Sequence, residues 1–208
     1  GIKSELLSSI QVMADSRADG YTPQWLALLS WDLLFVDGEI DRYRVHVQGC
    51  NRQWLIFRSS ARQVESSRRR IEHEYALASR LDPSWALVPQ AILHTADGPL
   101  LVCDDPGGQA LHEVADGRIS IDRFLRLAVG AAGALRQAHG SGLLHRDIKP
   151  SNLIHGVDGN LRLTGFGGSV EHRGGAHAVT DDAICGTLAY MSPEQTRRME
   201  QQADQRSD

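Results

Sequence analysis

One eight-residue run constrains this chain more than any other: His145-Arg146-Asp147-Ile148-Lys149-Pro150-Ser151-Asn152. The Ala/Leu-rich stretch Ile121 to His139 precedes it, with Ser120 as a start signal and Gly140 as a stop signal for a helix. After it, Leu153-Ile154 and Leu161-Arg162-Leu163 flank a Gly-Val-Asp-Gly-Asn turn, which Asp158-Gly159 marks as a tight hairpin. The run is therefore a loop between a long helix and a hairpin. It offers a carboxylate at Asp147, an ammonium at Lys149 and an amide oxygen at Asn152. Phosphoryl transfer needs these three kinds of group, to orient a hydroxyl, to steady the moving phosphate and to reach a metal ion. Each role takes a different chemical type, which argues against chance agreement.

Downstream segments follow in a matching order. Gly165-Phe166-Gly167 stands where a protein kinase has Asp-Phe-Gly, and Gly186-Thr187-Leu188-Ala189-Tyr190-Met191-Ser192-Pro193-Glu194 resembles the segment that closes a kinase activation loop. Lys149, in place of the alanine-arginine pair of tyrosine kinases, and Gly186-Thr187 resemble the serine/threonine branch. The resemblance implies that Thr187 bonds between Asp147 and Lys149. Asp37-Gly38-Glu39, Tyr43-Arg44, Glu72 to Leu77, Asp105 to Gly108, Leu163 to Gly167, Thr187 to Met191 and Arg206-Ser207-Asp208 add a narrower likeness. Together they resemble the N-terminal kinase-like domain of large bacterial multi-kinases, in which an ATPase module, sensor domains and a histidine kinase follow. That likeness spans roughly residues 30 to 208, and Gly at position 165 looks like a habit of that family.

The resemblance implies an α+β, two-lobed kinase-like fold, with a β-rich small lobe and a helical large lobe truncated at its C-terminus. Residues 1–30 then form a helical extension, 31–105 the small lobe and 106–208 a partial large lobe. Truncation predicts exposed apolar side chains on the 121–139 helix. Composition agrees with one soluble domain: 208 residues, 41% hydrophobic and 23% charged. A net charge of -4 gives no footprint for nucleic acid. Arg68-Arg69-Arg70 reads as a solvated helix face. No stretch approaches a membrane span and no signal peptide is visible, so a cytoplasmic location is expected. Cys50, Cys103 and Cys185 are isolated and odd in number, which fits reduced thiols. The histidines show no metal-ligand spacing; His172 and His177 fall in a Gly-rich loop.

Along the chain, residues 4 to 16 and the stretch around Trp25 to Leu29 have helical periodicity. Strand patterns follow at Leu33 to Val36, Tyr43 to Val47 and Trp54 to Phe57, then a helix over 64 to 81 with Ile71, Tyr75, Leu77 and Leu81 inward. Two more strands lie near Ala91 to His94 and Pro99 to Cys103.

The nucleotide-facing half departs from the kinase pattern. Only Gly38 stands where a Gly-rich hairpin would cover phosphates. Leu55-Ile56-Phe57-Arg58 aligns with Val-Ala-Ile-Lys, which puts Arg58 at the lysine position with Glu74 as its expected partner. Cys103 becomes the gatekeeper, Asp104 and Asp105 run past the adenine, and Pro106 removes an amide donor at the hinge. Gly165 offers a cation no side-chain oxygen, so ATP with Mg²⁺ at a weak site held by Asn152 is the implied cofactor set. Asp147, Lys149, Asn152 and Thr187 are the candidate catalytic residues; Gly38, Arg58, Glu74, Cys103, Asp104 and Asp105 are the candidates for nucleotide binding. Ser169 and Thr180 are candidate phosphorylation sites of the activation segment, with Arg146 as counter-charge. Two functions fit: a weak serine/threonine kinase acting on a protein substrate, or a pseudokinase that regulates downstream ATPase and histidine-kinase domains. A small-molecule phosphotransferase shares the acid and amide but not the Thr187 to Glu194 segment.

Overall fold

A computed structural model describes residues 29–36, 39–47, 52–60, 64–95, 97–114, 117–171, 185–196 and 203–208. The expected N-terminal helices, Gly38, Cys50, His172, His177 and Thr180 lie outside the described residues. Contacts group the chain into two units, one running to Ala78 and including Pro89–Asp105, the other comprising Ser79–Val88 and Pro106–Asp208.

The first unit is a five-stranded antiparallel sheet. Its strands are β1 (Leu29–Val36), β2 (Ile40–Val47), β3 (Gln53–Ser59), β4 (Pro89–Thr95) and β5 (Gly98–Asp104), in the order β1-β2-β3-β5-β4. Successive side chains of a strand point to opposite faces, so register sorts residues by parity. On one face Val45, Trp54, Ile56, Ala91, Leu100 and Val102 form a buried core, with Trp31, Tyr43 and Leu93 packed against it. Helix α1 (Val64–Ala76) packs on β3, β4 and β5. It stops before the expected residue 81, and a 3₁₀ turn, Ala78–Arg80, follows. Ile71, Leu77 and Leu81 are buried as expected, but Tyr75 is 38% exposed. The inward stripe runs through Ser67, Ile71 and Glu74, all buried, and Tyr75 falls off its centre by about a fifth of a turn. Arg68 and Arg69 pair along the exposed helix with Glu72 and Glu65, whereas Arg70 pairs with Glu39.

The second unit is built around α3 (Ile121–Gly140), whose N-cap is the Ser120 hydroxyl, accepting from Arg123 N at 3.3 Å. The short strand β6 (Gln109–Ala110) and the one-turn helix α2 (Leu111–Val114) precede it. Beyond it lie β7 (Leu143–Leu144), the hairpin β8 (Leu153–His155) and β9 (Leu161–Leu163), and β10 (Val170–Glu171). β6, β8 and β9 form one small sheet and β7 pairs with β10. Leu127, Ala134 and Ala138 of α3 are buried, while Ile121, Phe124, Leu125 and Val129 are exposed. Ser79–Val88, assigned from sequence to the small lobe, belongs here. Leu87 N donates to Leu163 O and Leu163 N to Trp85 O, each at 2.8 Å, so the segment bonds along β9.

Candidate active site

β7 and β8 are short, buried strands that fix both ends of the loop His145–Asn152. Between them Asp147, Lys149 and Asn152 are all buried. Asp147 Oδ1 accepts from the Thr187 hydroxyl at 2.8 Å. Lys149 Nζ donates to that same hydroxyl oxygen at 2.8 Å and lies 3.4 Å from Asp147 Oδ2. One hydroxyl can both donate and accept, so Thr187 satisfies the carboxylate and the ammonium at once. Asn152 Nδ2 donates to Asp147 Oδ2 at 3.1 Å and to the Asp147 carbonyl at 2.9 Å. That leaves its oxygen as the amide atom suited to a cation.

The loop's backbone is held by groups far away in sequence. Asp208 accepts from His145 N at 2.8 Å, from Arg146 N at 2.6 Å and pairs with His139 Nε2 at 2.9 Å. Arg146 has φ of +71°, a left-handed conformation that a non-glycine residue adopts only when its surroundings hold it there. Gln195 Nε2 completes the hold from the other side, donating to Arg146 O at 2.9 Å. His145 is fully buried; its Nδ1 accepts from Asp147 N at 3.2 Å and its Nε2 donates to Thr164 O at 3.1 Å. Its ring packs against Phe166, centroids 4.7 Å apart, and Phe166 meets Trp85 edge-on. Phe166 thus ties the glycine-flanked triplet to the loop.

Two glycines let the later segment approach. Gly186 has φ of +119°, and a Cβ there would lie 2.5 Å from Arg146 O, so only glycine lets the chain deliver Thr187 to Asp147. At Gly165, φ is +84°, and a Cβ would fall 2.8 to 3.0 Å from the side-chain amide of Asn152. The Asn152 amide therefore occupies the space that an aspartate's first carbon would need. One amide oxygen, with the neighbouring carboxylate engaged by Thr187, Lys149 and Asn152, fits magnesium poorly, since that ion wants an octahedron of oxygens with at least one free carboxylate. Among the described residues no group of three His, Cys, Asp or Glu side chains could hold a metal. Ser169 is 1% exposed and donates to His145 O at 3.2 Å, so its hydroxyl is structural in this conformation.

In the first unit the candidates scatter. Arg58 does not meet Glu74; it donates to Asp97 in the turn between β4 and β5 at 2.9 Å. The register explains this, because Arg58 sits opposite Leu100 and Asp41, on the same face as Ile56 and Trp54. Glu74 is 3% exposed on α1. Cys103, opposite Leu55, is buried with a free thiol. Burial pushes that thiol well above its ordinary range, with Glu74 and Asp104 adding to the rise and Arg42 opposing it. Asp104 binds Arg52 at 2.6 and 3.1 Å. Asp105 pairs with Arg44, and its N–H donates to Gln53 O at 3.1 Å. Both carboxylates are thus committed to arginines, Asp105 to Arg44 of β2 and Asp104 to Arg52 just before β3. Pro106, in the second unit, accepts from Val157 N at 3.2 Å.

Two residues have roles that the sequence does not announce. Asp208 lies 63 residues from His145, and nothing local marks it as an anchor. Arg42 is 5% exposed on β2, and only strand parity, counted from Phe57, could have singled it out.

A model of the protein kinase domain matches residues 56–208. The serine/threonine-protein kinase PknL of Mycobacterium tuberculosis is 38% identical over 112 residues, 53% of this chain and 27% of that protein. A probable serine/threonine-protein kinase of Streptomyces coelicolor, SCO3848, is 32% identical over 113 residues, 53% of this chain and 16% of that protein. The serine/threonine-protein kinase pkn3 of Myxococcus xanthus is 30% identical over 163 residues, 74% of this chain and 29% of that protein. The chain thus spans less than a third of the length of each of these curated relatives. No helix among the described residues is long and apolar enough to cross a membrane.

Proposed function

The chain belongs to the protein kinase domain family, of the serine/threonine type, and from that premise we propose that it transfers the terminal phosphate of ATP to a serine or threonine hydroxyl of a protein, slowly. A kinase domain implies ATP and a divalent metal in general; here the poor donor set at Gly165 and Asn152 makes metal retention weak. Asp147 orients the substrate hydroxyl and receives its proton as the new oxygen–phosphorus bond forms and the β–γ bridging bond of ATP breaks. Lys149 steadies the charge on the moving phosphoryl group. Thr187 bonds to both groups while Lys149 Nζ lies 3.4 Å from Asp147 Oδ2, which holds carboxylate and ammonium in one arrangement. That triangle of Asp147, Thr187 and Lys149 carries the reading.

The test is transfer of labelled phosphate to a generic serine/threonine substrate, with Asp147→Asn as the control. Activity should fall by roughly a hundredfold or more in the variant. Equal labelling by both proteins would sink the assignment. A second reading rests on Gly165: a pseudokinase whose nucleotide or partner state regulates ATPase and histidine-kinase domains of a longer cytoplasmic protein. ATP binding without labelling, in the wild-type protein, would select it.

A further inference from the structure

Arg58, the residue that sequence alignment puts in the lysine position, stands on the wrong face of its sheet for that task. The lysine of a kinase small lobe works by pairing with a helix glutamate, so it must lie on the face that the helix covers. In β3, Trp54 and Ile56 belong to the core face, and Arg58 shares their parity. Leu55 and Phe57 point the other way, opposite Cys103 and Leu101 of β5 and opposite Arg44 and Arg42 of β2. α1 lies over this second face. Ser67 and Arg70, two turns and one turn before Glu74, hold Glu39, three residues before Arg42: Ser67 donates to Glu39 O at 2.7 Å and Arg70 pairs with the Glu39 carboxylate. Glu74 and Arg42 both bear on the buried Cys103 thiol, one raising and the other lowering its pKa.

The position a β3 lysine would fill is therefore taken by Phe57, and a cation reaches over it from the next strand. Arg42, 5% exposed, sets its guanidinium 5.1 Å from the Phe57 ring centroid and 5.9 Å from that of Phe35. Arg44, its neighbour on the same face, is engaged by Asp105. Burying a guanidinium is expensive unless charge and aromatic faces compensate it, and here two rings lie within cation–π reach while Glu74 is buried on the helix that packs on β3. We infer that Arg42 of β2, not Arg58 of β3, is the small-unit cation that Glu74 positions for the phosphates of the nucleotide. The inference rests on the kinase reading above and narrows it. Arginine there offers a planar fork in place of a single ammonium, which favours bidentate contact with phosphate oxygens.

The experiment measures binding of ATP and of adenosine to the full chain by calorimetry, for the wild type, Arg42→Gln, Arg58→Gln and the double variant Arg42→Gln/Phe57→Lys. ATP affinity should fall roughly ten- to a hundredfold in Arg42→Gln, with adenosine affinity unchanged. It should stay at the wild-type level in Arg58→Gln. The double variant returns a cation to the face of Glu74 and should recover most of the loss; it carries the test where Arg42→Gln alone does not fold. Wild-type affinity in Arg42→Gln, a loss in Arg58→Gln, or no recovery in the double variant overturns the inference and leaves the kinase reading standing. A wild-type protein that binds no ATP overturns both.

Discussion

The catalytic loop and the strand β3 differ in how they carry their polar residues. In the loop, Asp147, Lys149 and Asn152 are buried and bonded within a few ångströms of one another, and Thr187 closes the set from 40 residues away. In β3, the one charged candidate, Arg58, turns to an exposed aspartate whose side chain is 50% accessible. The loop's chemistry is fixed by backbone: a left-handed Arg146, a 3₁₀ turn over Pro150–Asn152 and two hydrogen bonds to Asp208. The strand's chemistry is fixed only by parity, and a displacement of one residue moves a side chain to the other face. Function on a strand can therefore pass to a neighbouring strand, as the placement of Arg42 suggests, whereas function in the loop has no such freedom.

The largest effect should come from removing what holds the loop. Asp208→Ala leaves two backbone N–H groups, those of His145 and Arg146, without their acceptor next to a left-handed residue. Each unsatisfied buried donor costs about 1 to 3 kcal/mol, so a loss of roughly 2 to 6 kcal/mol in unfolding free energy is expected from urea titration. Asp208→Asn keeps an acceptor oxygen and should lose less. If Asp208→Ala unfolds at the wild-type midpoint, the loop holds its own shape and does not depend on Asp208 for it.

A smaller effect is expected at Gly165. Gly165→Ala puts a Cβ into the left-handed region and 2.8 to 3.0 Å from the Asn152 amide, so roughly 1 to 3 kcal/mol of stability should go. Gly165→Asp adds a carboxylate but meets the same crowding, which aspartate tolerates better in this backbone region than alanine does. Comparing it with Gly165→Asn separates charge from shape. Magnesium-dependent labelling that rises in Gly165→Asp and not in Gly165→Asn assigns the weakness of the site to the missing carboxylate; equal behaviour of the two assigns it to the displaced Asn152.

How much of this could be read beforehand follows from the same contrast. The order of strands and helices was legible because alternation and caps are local: Ser120 caps the start of α3, which runs through Gly140 to the C-cap Ser141, and Asp158-Gly159 turns the β8–β9 hairpin. The cluster of Asp147, Lys149, Asn152 and Thr187 was legible because the motif fixes backbone as well as residue type. The expected pairing of Arg58 with Glu74 does not form because Arg58 shares the parity of Ile56 and Trp54 and bonds to Asp97, and Tyr75 is exposed because Glu74 takes the inward place on the helix. Asp208 and the Ser79–Val88 segment depend on tertiary contacts that no local signal announces.

The smallest expected effect asks whether the loop draws rigidity from the hairpin behind it. Asp158 sits in the β8–β9 turn and receives both ends of the Arg162 guanidinium, at 3.0 and 2.7 Å, together with Asn160 N and Nδ2. The Arg162 hydrogen bonds, more than any other contact, hold its carboxyl well below the usual carboxylate range. A carboxyl whose folded value is depressed stabilises the fold above its unfolded value, near about 3.9, and that contribution disappears as pH falls through the folded value. Because the side chain is 42% accessible, solvent screens the pair and its worth is no more than about 1 kcal/mol. Asp158→Asn should thus be slightly less stable than the wild type at neutral pH, and the two urea midpoints should converge as the solution is acidified below the unfolded value. A gap that persists into strong acid would mean that the turn is held by shape and not by this charge. A gap well above the expected size, accompanied by loss of ATP labelling, would mean that the hairpin shares in holding Asp147, and that the loop owes its rigidity to more than the bonds to Asp208.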